Sequence, residues 1–101
     1  MILSINGNKV NVPVMLYQIS VWNNEDDTIQ VFISENIQTV LSDAYEYYQE
    51  VFTEYEQAEV LEDDQKLLSW REFIEIIMTD KEFFIQGRDF HETFVYLQLN
   101  L

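Results

Sequence analysis

The sequence predicts an α+β fold, an antiparallel sheet of N-terminal hairpins plus C-terminal strands with one long and one short helix packed on one face, in the order ββββ-αα-ββ. Three observations lead there. The stretch from Ser34 to Ala58, SENIQTVLSDAYEYYQEVFTEYEQA, repeats its apolar residues at helical spacing. Two-residue alternation runs through Met15 to Trp22, Thr28 to Ile33 and Phe90 to Leu99. Asn6-Gly7 and Gly87-Arg88-Asp89 are turn signals set between apolar runs.

Taken in order, Ile2 to Val12 reads as a hairpin, because Asn6-Gly7 supplies the two positive-φ positions of a type I′ turn between ILSI and NKVNV. Val10, Val12 and Val14 alternate with polar residues, which predicts one buried face. Pro13 cannot donate to a ladder, so an edge, a bulge or a bend is expected there. In the next strand Tyr17, Ile19 and Val21 alternate with Gln18 and Ser20. In the one after it Ile29, Val31 and Ile33 alternate with Gln30 and Phe32, and the Asn- and Asp-rich NNEDD between the two is a turn.

Ser34 sits where a helix N-cap belongs, and Glu35 in a first helical turn suits the positive end of the dipole. On the wheel Ile37, Val40, Leu41, Ala44, Tyr48, Val51, Phe52 and Tyr55 fall within about 120° of arc, with Glu35, Asp43, Glu46, Glu50 and Glu54 opposite them. One stripe builds a core and the other is a row of carboxylates. The phase fails after Ala58, so the helix ends or kinks there, and LEDDQK follows as a charged connection. Ser69-Trp70-Arg71-Glu72 has the capping-box pattern, with Leu68 and Phe73 spaced as a hydrophobic staple. The second helix runs to about Thr79, with Trp70, Phe73, Ile74 and Ile77 on one face and Arg71 to Glu75 as an i,i+4 pair. Phe83 to Gln86 and Phe90 to Leu99 close the fold as strands, the second with Val95, Leu97 and Leu99 on one side and Phe94, Tyr96 and Gln98 on the other.

At 101 residues the chain is expected to form a single domain, residues 1–101. It has no cysteine, which removes disulfides, thiolate metal sites and cysteine nucleophiles, and fits an intracellular protein. The opening MILSINGNKVNV is neither a signal peptide nor part of a membrane span, so a cytoplasmic location is expected. With 48% hydrophobic residues and 15% aromatics the chain has the composition of a packed globule, and its charge of -14 is carried on a folded surface. That charge is regional: Val10 to Gln65 holds thirteen Asp and Glu and no Lys, Arg or His. Such a field repels nucleic acid and anionic membrane and attracts basic surfaces.

The residues carry no catalytic signature. His91 is the only histidine, and its neighbour Glu92 points to the opposite side of a strand. Asn23-Asn24-Glu25-Asp26-Asp27 and Glu62-Asp63-Asp64 lack the spacing that aims oxygens at a cation, so neither a metal nor another cofactor is expected. There is no phosphate-cradling glycine loop, no G-x-S-x-G and no H-E-x-x-H, and an enzyme is not expected. The feature that calls for a function is the acidic row. The expected partner-binding residues are Glu35, Asp43, Glu46, Glu50 and Glu54 on the helix, with Tyr47 at its border, and Glu25, Asp26, Asp27, Glu62, Asp63 and Asp64 in the turns. Tyr45 and Tyr47 read equally as interface contacts or as core-edge residues with their hydroxyls in water.

Small size, high negative charge and absent cysteine are similar to those of phage-encoded anti-restriction and anti-CRISPR DNA mimics. That resemblance implies an inhibitor of a basic nucleic-acid-binding protein, a nuclease or defence effector, working in a bacterial host cell and binding neither nucleic acid nor membrane itself. INGNKV, residues 5–10, is similar to the opening strand of barstar-like inhibitors, which implies the alternative of an immunity protein or antitoxin against a basic nuclease toxin. A third reading is a non-catalytic structural or regulatory subunit whose acidic surface serves solubility.

Overall fold

A computed structural model describes residues 2–11 and 14–100. The elements follow the expected order: β1 Ile2–Ile5, β2 Asn8–Asn11, β3 Met15–Asn23, β4 Thr28–Ser34, α1 Ile37–Gln57, α2 Trp70–Asp80, β5 Glu82–Gln86 and β6 His91–Asn100. The fold is α+β with wholly antiparallel pairing, and β3 to β6 form one four-stranded sheet in the order β4-β3-β6-β5. No helix among the described residues is long and apolar enough to cross a membrane.

The first hairpin stands apart. β1 and β2 pair with each other around Asn6 and Gly7, both at positive φ as a type I′ turn requires, and form a two-stranded sheet of their own. Every residue of both strands is exposed, so Val10 has no buried face, contrary to its alternation. Val12 and Pro13, expected to end the strand and to bend the chain, lie outside the described residues.

The register of the larger sheet decides what its two sides carry. The tight turn Asn24 to Asp27 pairs Trp22 with Ile29, Ser20 with Val31 and Gln18 with Ile33. Side chains alternate across a strand, so Ile29, Val31 and Ile33 stand on the side away from Ile19 and Val21. Helices cover only the side bearing Ile19, Val21, Phe32, Phe83, Ile85, Phe94 and Tyr96. Against it α1 lays Val40, Leu41, Ala44, Tyr48 and Phe52, all buried, with Ile37, Val51 and Tyr55 half-buried at the margin, and α2 adds Phe73 and Ile77. The apolar stripe of the wheel is therefore the core stripe, residue for residue.

Helix ends explain the remaining boundaries. Ser34 is the last residue of β4, paired with Tyr17, and cannot also begin a helix. The cap of α1 is Asn36, whose side chain accepts from Gln38 N–H at 2.9 Å, while Ser34 Oγ accepts from Asn36 N–H at 3.0 Å. Glu35 thus precedes the helix, and the first turn of α1 carries no acid. At the other end Glu59 takes φ 59°, and Val60 N–H and Glu59 N–H donate to the carbonyls of Tyr55 and Glu56, a Schellman closure with glutamate where glycine is at ease. The capping box of α2 forms in full between Ser69 and Glu72. Arg71 and Glu75 do not pair; the ion pair among the described residues is Lys66 with Glu72 at 3.7 Å.

Gly87 closes the β5–β6 turn, its N–H donating to the Phe90 carbonyl at 2.9 Å. The Phe90 ring lies directly over its α-carbon and packs edge-on against Tyr55, 4.7 Å between centroids. A side chain at Gly87 would overlap that ring.

Two substitutions of opposite sign follow from these positions. Glu59→Gly removes the left-handed strain at the end of α1 and is expected to stabilise the fold by about 0.5 to 1 kcal/mol, read as a higher urea midpoint at unchanged slope. Gly87→Ala displaces Phe90 and is expected to destabilise it by about 1 to 3 kcal/mol in the same measurement.

Candidate acidic interface

Asp43, Glu46, Glu50 and Glu54 are all exposed along one side of α1. Eleven residues separate the first from the last, about 16 Å of helix at 1.5 Å per residue. Asp43, Glu46 and Glu50 border a shallow cleft with Gln30 and Phe32 of β4, which fixes this row over the β4 edge of the sheet. None of them meets a cation among the described residues, where the ion pair is Lys66 with Glu72.

The β3–β4 tip extends the row. Asn23 Oδ1 accepts from Glu25 N–H at 2.9 Å and from Asp26 N–H at 3.2 Å, curling the turn on itself. Asn24 fastens it to β6, accepting from His91 N–H at 2.7 Å and donating its own N–H to the His91 carbonyl. Asp27, at φ 53°, accepts from Trp22 Nε1 at 3.2 Å. Held so, the tip reaches the end of α1. Glu25 shares a cleft with Tyr55, Ala58 and Glu59, and the charges of Asp26 and Glu54 both bear on the Tyr55 phenol. Arg88 lines the same cleft and makes no ion pair among the described residues.

Other expected residues lie elsewhere. Glu35 is exposed in the β4–α1 junction, ahead of the helix start. Glu62 N–H donates to the Gln86 carbonyl, and Asp64 borders a cleft with Phe83, Phe84 and Ile85, so Glu62, Asp63 and Asp64 run along β5. That is the opposite edge of the sheet from β4. The structure gathers the helix row and the tip, and leaves this connection apart.

The two border tyrosines are committed inward. Tyr45 donates to the Leu68 carbonyl at 2.9 Å and packs on Trp70 and Phe73. Tyr47 donates at 2.6 Å to Oε1 of Glu92, a carboxylate 1% exposed whose Oε2 has no partner among the described residues. Glu92 does point to the side opposite His91, as expected, and its parity with Phe94 and Tyr96 in β6 makes that the core side, so the acid is buried. Burial first, then the bond to Glu92 and nearby negative charges, holds the Tyr47 phenol well above its ordinary value of 10.0. Burial and then the Glu92 charge do the same to Tyr55. No group of three or more His, Asp or Glu among the described residues is arranged to hold a metal ion.

Comparison with protein-family models, with curated proteins and with solved structures finds no match to this chain.

A phenol whose value rises on folding favours the neutral form, so this stabilisation is complete below pH 10 and is lost as pH climbs through the raised values. The 295 nm absorbance change of Tyr47 and Tyr55 is therefore expected only together with loss of far-UV circular dichroism. Tyr47→Phe should cost about 1 to 3 kcal/mol at pH 7, because it strands the Glu92 carboxylate, and this deficit should shrink above pH 10.

Proposed function

We propose that the chain is a small acidic inhibitor that lays the α1 row and the β3–β4 tip into the basic nucleic-acid-binding groove of an enzyme, a nuclease or defence effector, and so excludes its substrate. The observation that supports this most directly is the row of four exposed carboxylates, unpaired within the described residues and continued by Glu25 and Asp26. A solvated face chosen for solubility gains nothing from being contiguous. A surface made for guanidinium and ammonium groups requires it. The field of a -14 chain draws a basic partner in by diffusion, and carboxylates then take the hydrogen bonds that Arg and Lys otherwise give to phosphate. Four acids over about 16 Å are sparser than duplex phosphates, at about one charge per 1.7 Å of axis. The tip supplies the extra density at one end only, which favours a groove richest in cations over a short length. The proposed setting is the cytoplasm of a bacterial cell, without nucleic acid, membrane, cofactor or catalysis on this chain's part.

The test is capture of basic nucleic-acid-binding proteins from bacterial lysate on the immobilised chain, with release by duplex DNA as competitor. The retained protein is expected to leave as salt is raised, since the interaction is between charges. Glu46→Lys, Glu50→Lys and Glu54→Lys together should abolish retention while leaving the urea midpoint at least as high. Unchanged retention by that variant, or a complex indifferent to salt and to DNA, rules the reading out.

A further inference from the structure

The side of the four-stranded sheet that no helix covers is apolar. Trp22, Ile29, Val31, Ile33, Phe84 and Leu97 stand on it, between 39 and 67% exposed. Pairing sets them in rows across the strands: Ile29, Trp22, Thr93 and Phe84 form one, and Ile33, Gln18 and Leu97 another. His91 sits at one end between the rings of Trp22 and Phe84, edge-on to both. The acidic row lies on the other side of the sheet, along α1 at the β4 edge.

The β1–β2 hairpin is equally unpartnered. Leu3 faces Val10 across the strands, and Ile5 shares their side, giving the hairpin one apolar face that stays exposed among the described residues. A lone two-stranded hairpin is marginal in water. It also lengthens the molecule: the radius of gyration is 17.2 Å and the longest extent 62 Å, where a compact chain of this size has a radius of about 13 Å. The hairpin holds Lys9 and no Asp or Glu, so it is positive while the remainder of the chain carries all nineteen acids.

We infer that the occupant of the open sheet face is a second copy of this chain, in a two-fold dimer whose hairpins are exchanged so that Leu3, Ile5 and Val10 of each lie on the sheet face of the other. Charge argues for it. Among the described elements the hairpin alone carries a net positive charge, so it meets a second acidic body with attraction, and a shared sheet face keeps the two acidic rows outermost. Area argues for it too. Four strands spaced about 4.8 Å apart and about seven residues long make a face of about 450 Å² in plan. The hairpin brings each copy's share to about 600 Å², which side-chain relief carries toward the ~800 Å² per partner of a stable interface. Neither surface reaches that alone. A two-fold axis also uses each patch twice, as self-association of one chain requires.

The experiment is sedimentation equilibrium of the full chain at two salt concentrations, with oxidative cross-linking as the geometric readout. A mass of twice 12.1 kDa is expected, with a dissociation constant that falls as salt rises, because screening weakens repulsion between two -14 chains. This salt response is opposite in sign to that of the proposed inhibitory complex, so the two ideas fail separately. Val31→Lys with Leu97→Lys, both at exposed positions, should give a monomer with unchanged circular dichroism. The chain has no native cysteine, so a mixture of Val10→Cys and Val31→Cys chains should form the mixed disulfide in preference to either like pair. A monomer at 100 µM, a dimer that survives the paired lysines, or like-pair disulfides alone would each overturn the inference.

Discussion

Tyr48 is where both helices and the sheet meet, and the rest of the molecule is arranged about that junction. Its ring lies 5.7 Å from Phe73 of α2, 5.4 Å from Phe83 of β5 and 6.1 Å from Phe94 of β6, and Phe83 and Phe94 stack at 4.6 Å. Rings in such edge-on and offset arrangements add attraction beyond the area that they bury. The hydroxyl accepts from Leu68 N–H at 2.8 Å while Tyr45 donates to the Leu68 carbonyl, so two tyrosines of α1 hold the residue just ahead of α2 by both backbone groups. The connection from α1 is thereby brought back over the core at the point where the capping box begins.

That junction commits both helices to one side of the sheet. A four-stranded sheet has two faces, and the described residues supply no third layer to cover the second. The 60–65 connection runs along the β5 edge instead, with Leu61 bridging Gly87, Arg88 N–H donating to the Val60 carbonyl and Gln65 Oε1 accepting from Gln86 N–H. It protects an edge. It does nothing for the face. Separation of charge from apolar surface follows, since the helices' outer sides carry the acids and the uncovered sheet face is left nearly free of them.

How much of this could be read from the chain depended on whether a local signal had a rival. The apolar stripe of α1 had none, and Val40, Leu41, Ala44, Tyr48 and Phe52 are all buried as the period requires. Ser69 and Glu72 were equally unambiguous. At the start of α1, Ser34 and Asn36 are both good caps, and what separates them is a ladder pairing to Tyr17 that only the assembled sheet supplies. β4 shows the same limit more sharply. Its alternation offers three β-branched residues on one side and Gln30 with Phe32 on the other, and apolar content favours the first as the core side. The register set by the Asn24 to Asp27 turn puts Phe32 inward, opposite Ile19. For the candidate interface, the helix row was visible in the period of the acids, whereas the approach of Glu25 and Asp26 to the end of α1 is a tertiary fact, fixed by Asn24 binding β6.

Glu92 ties these themes together. A carboxylate 1% exposed and bound through one oxygen by one tyrosine is a poor stabiliser, because its desolvation exceeds what a single hydrogen bond returns. An apolar residue of similar volume beside Phe94 would pack at less cost. What the buried acid does accomplish is to hold Tyr47 turned inward, and with it the side of α1 on which Glu46 and Glu50 border the Phe32 cleft. The carboxylates of the row repel one another at i,i+4 spacing, at about 0.2 to 0.5 kcal/mol a pair. The row is therefore a cost to α1, and the phenol of Tyr47 beside it donates to a further acid, Glu92, rather than to the carboxylates of the row.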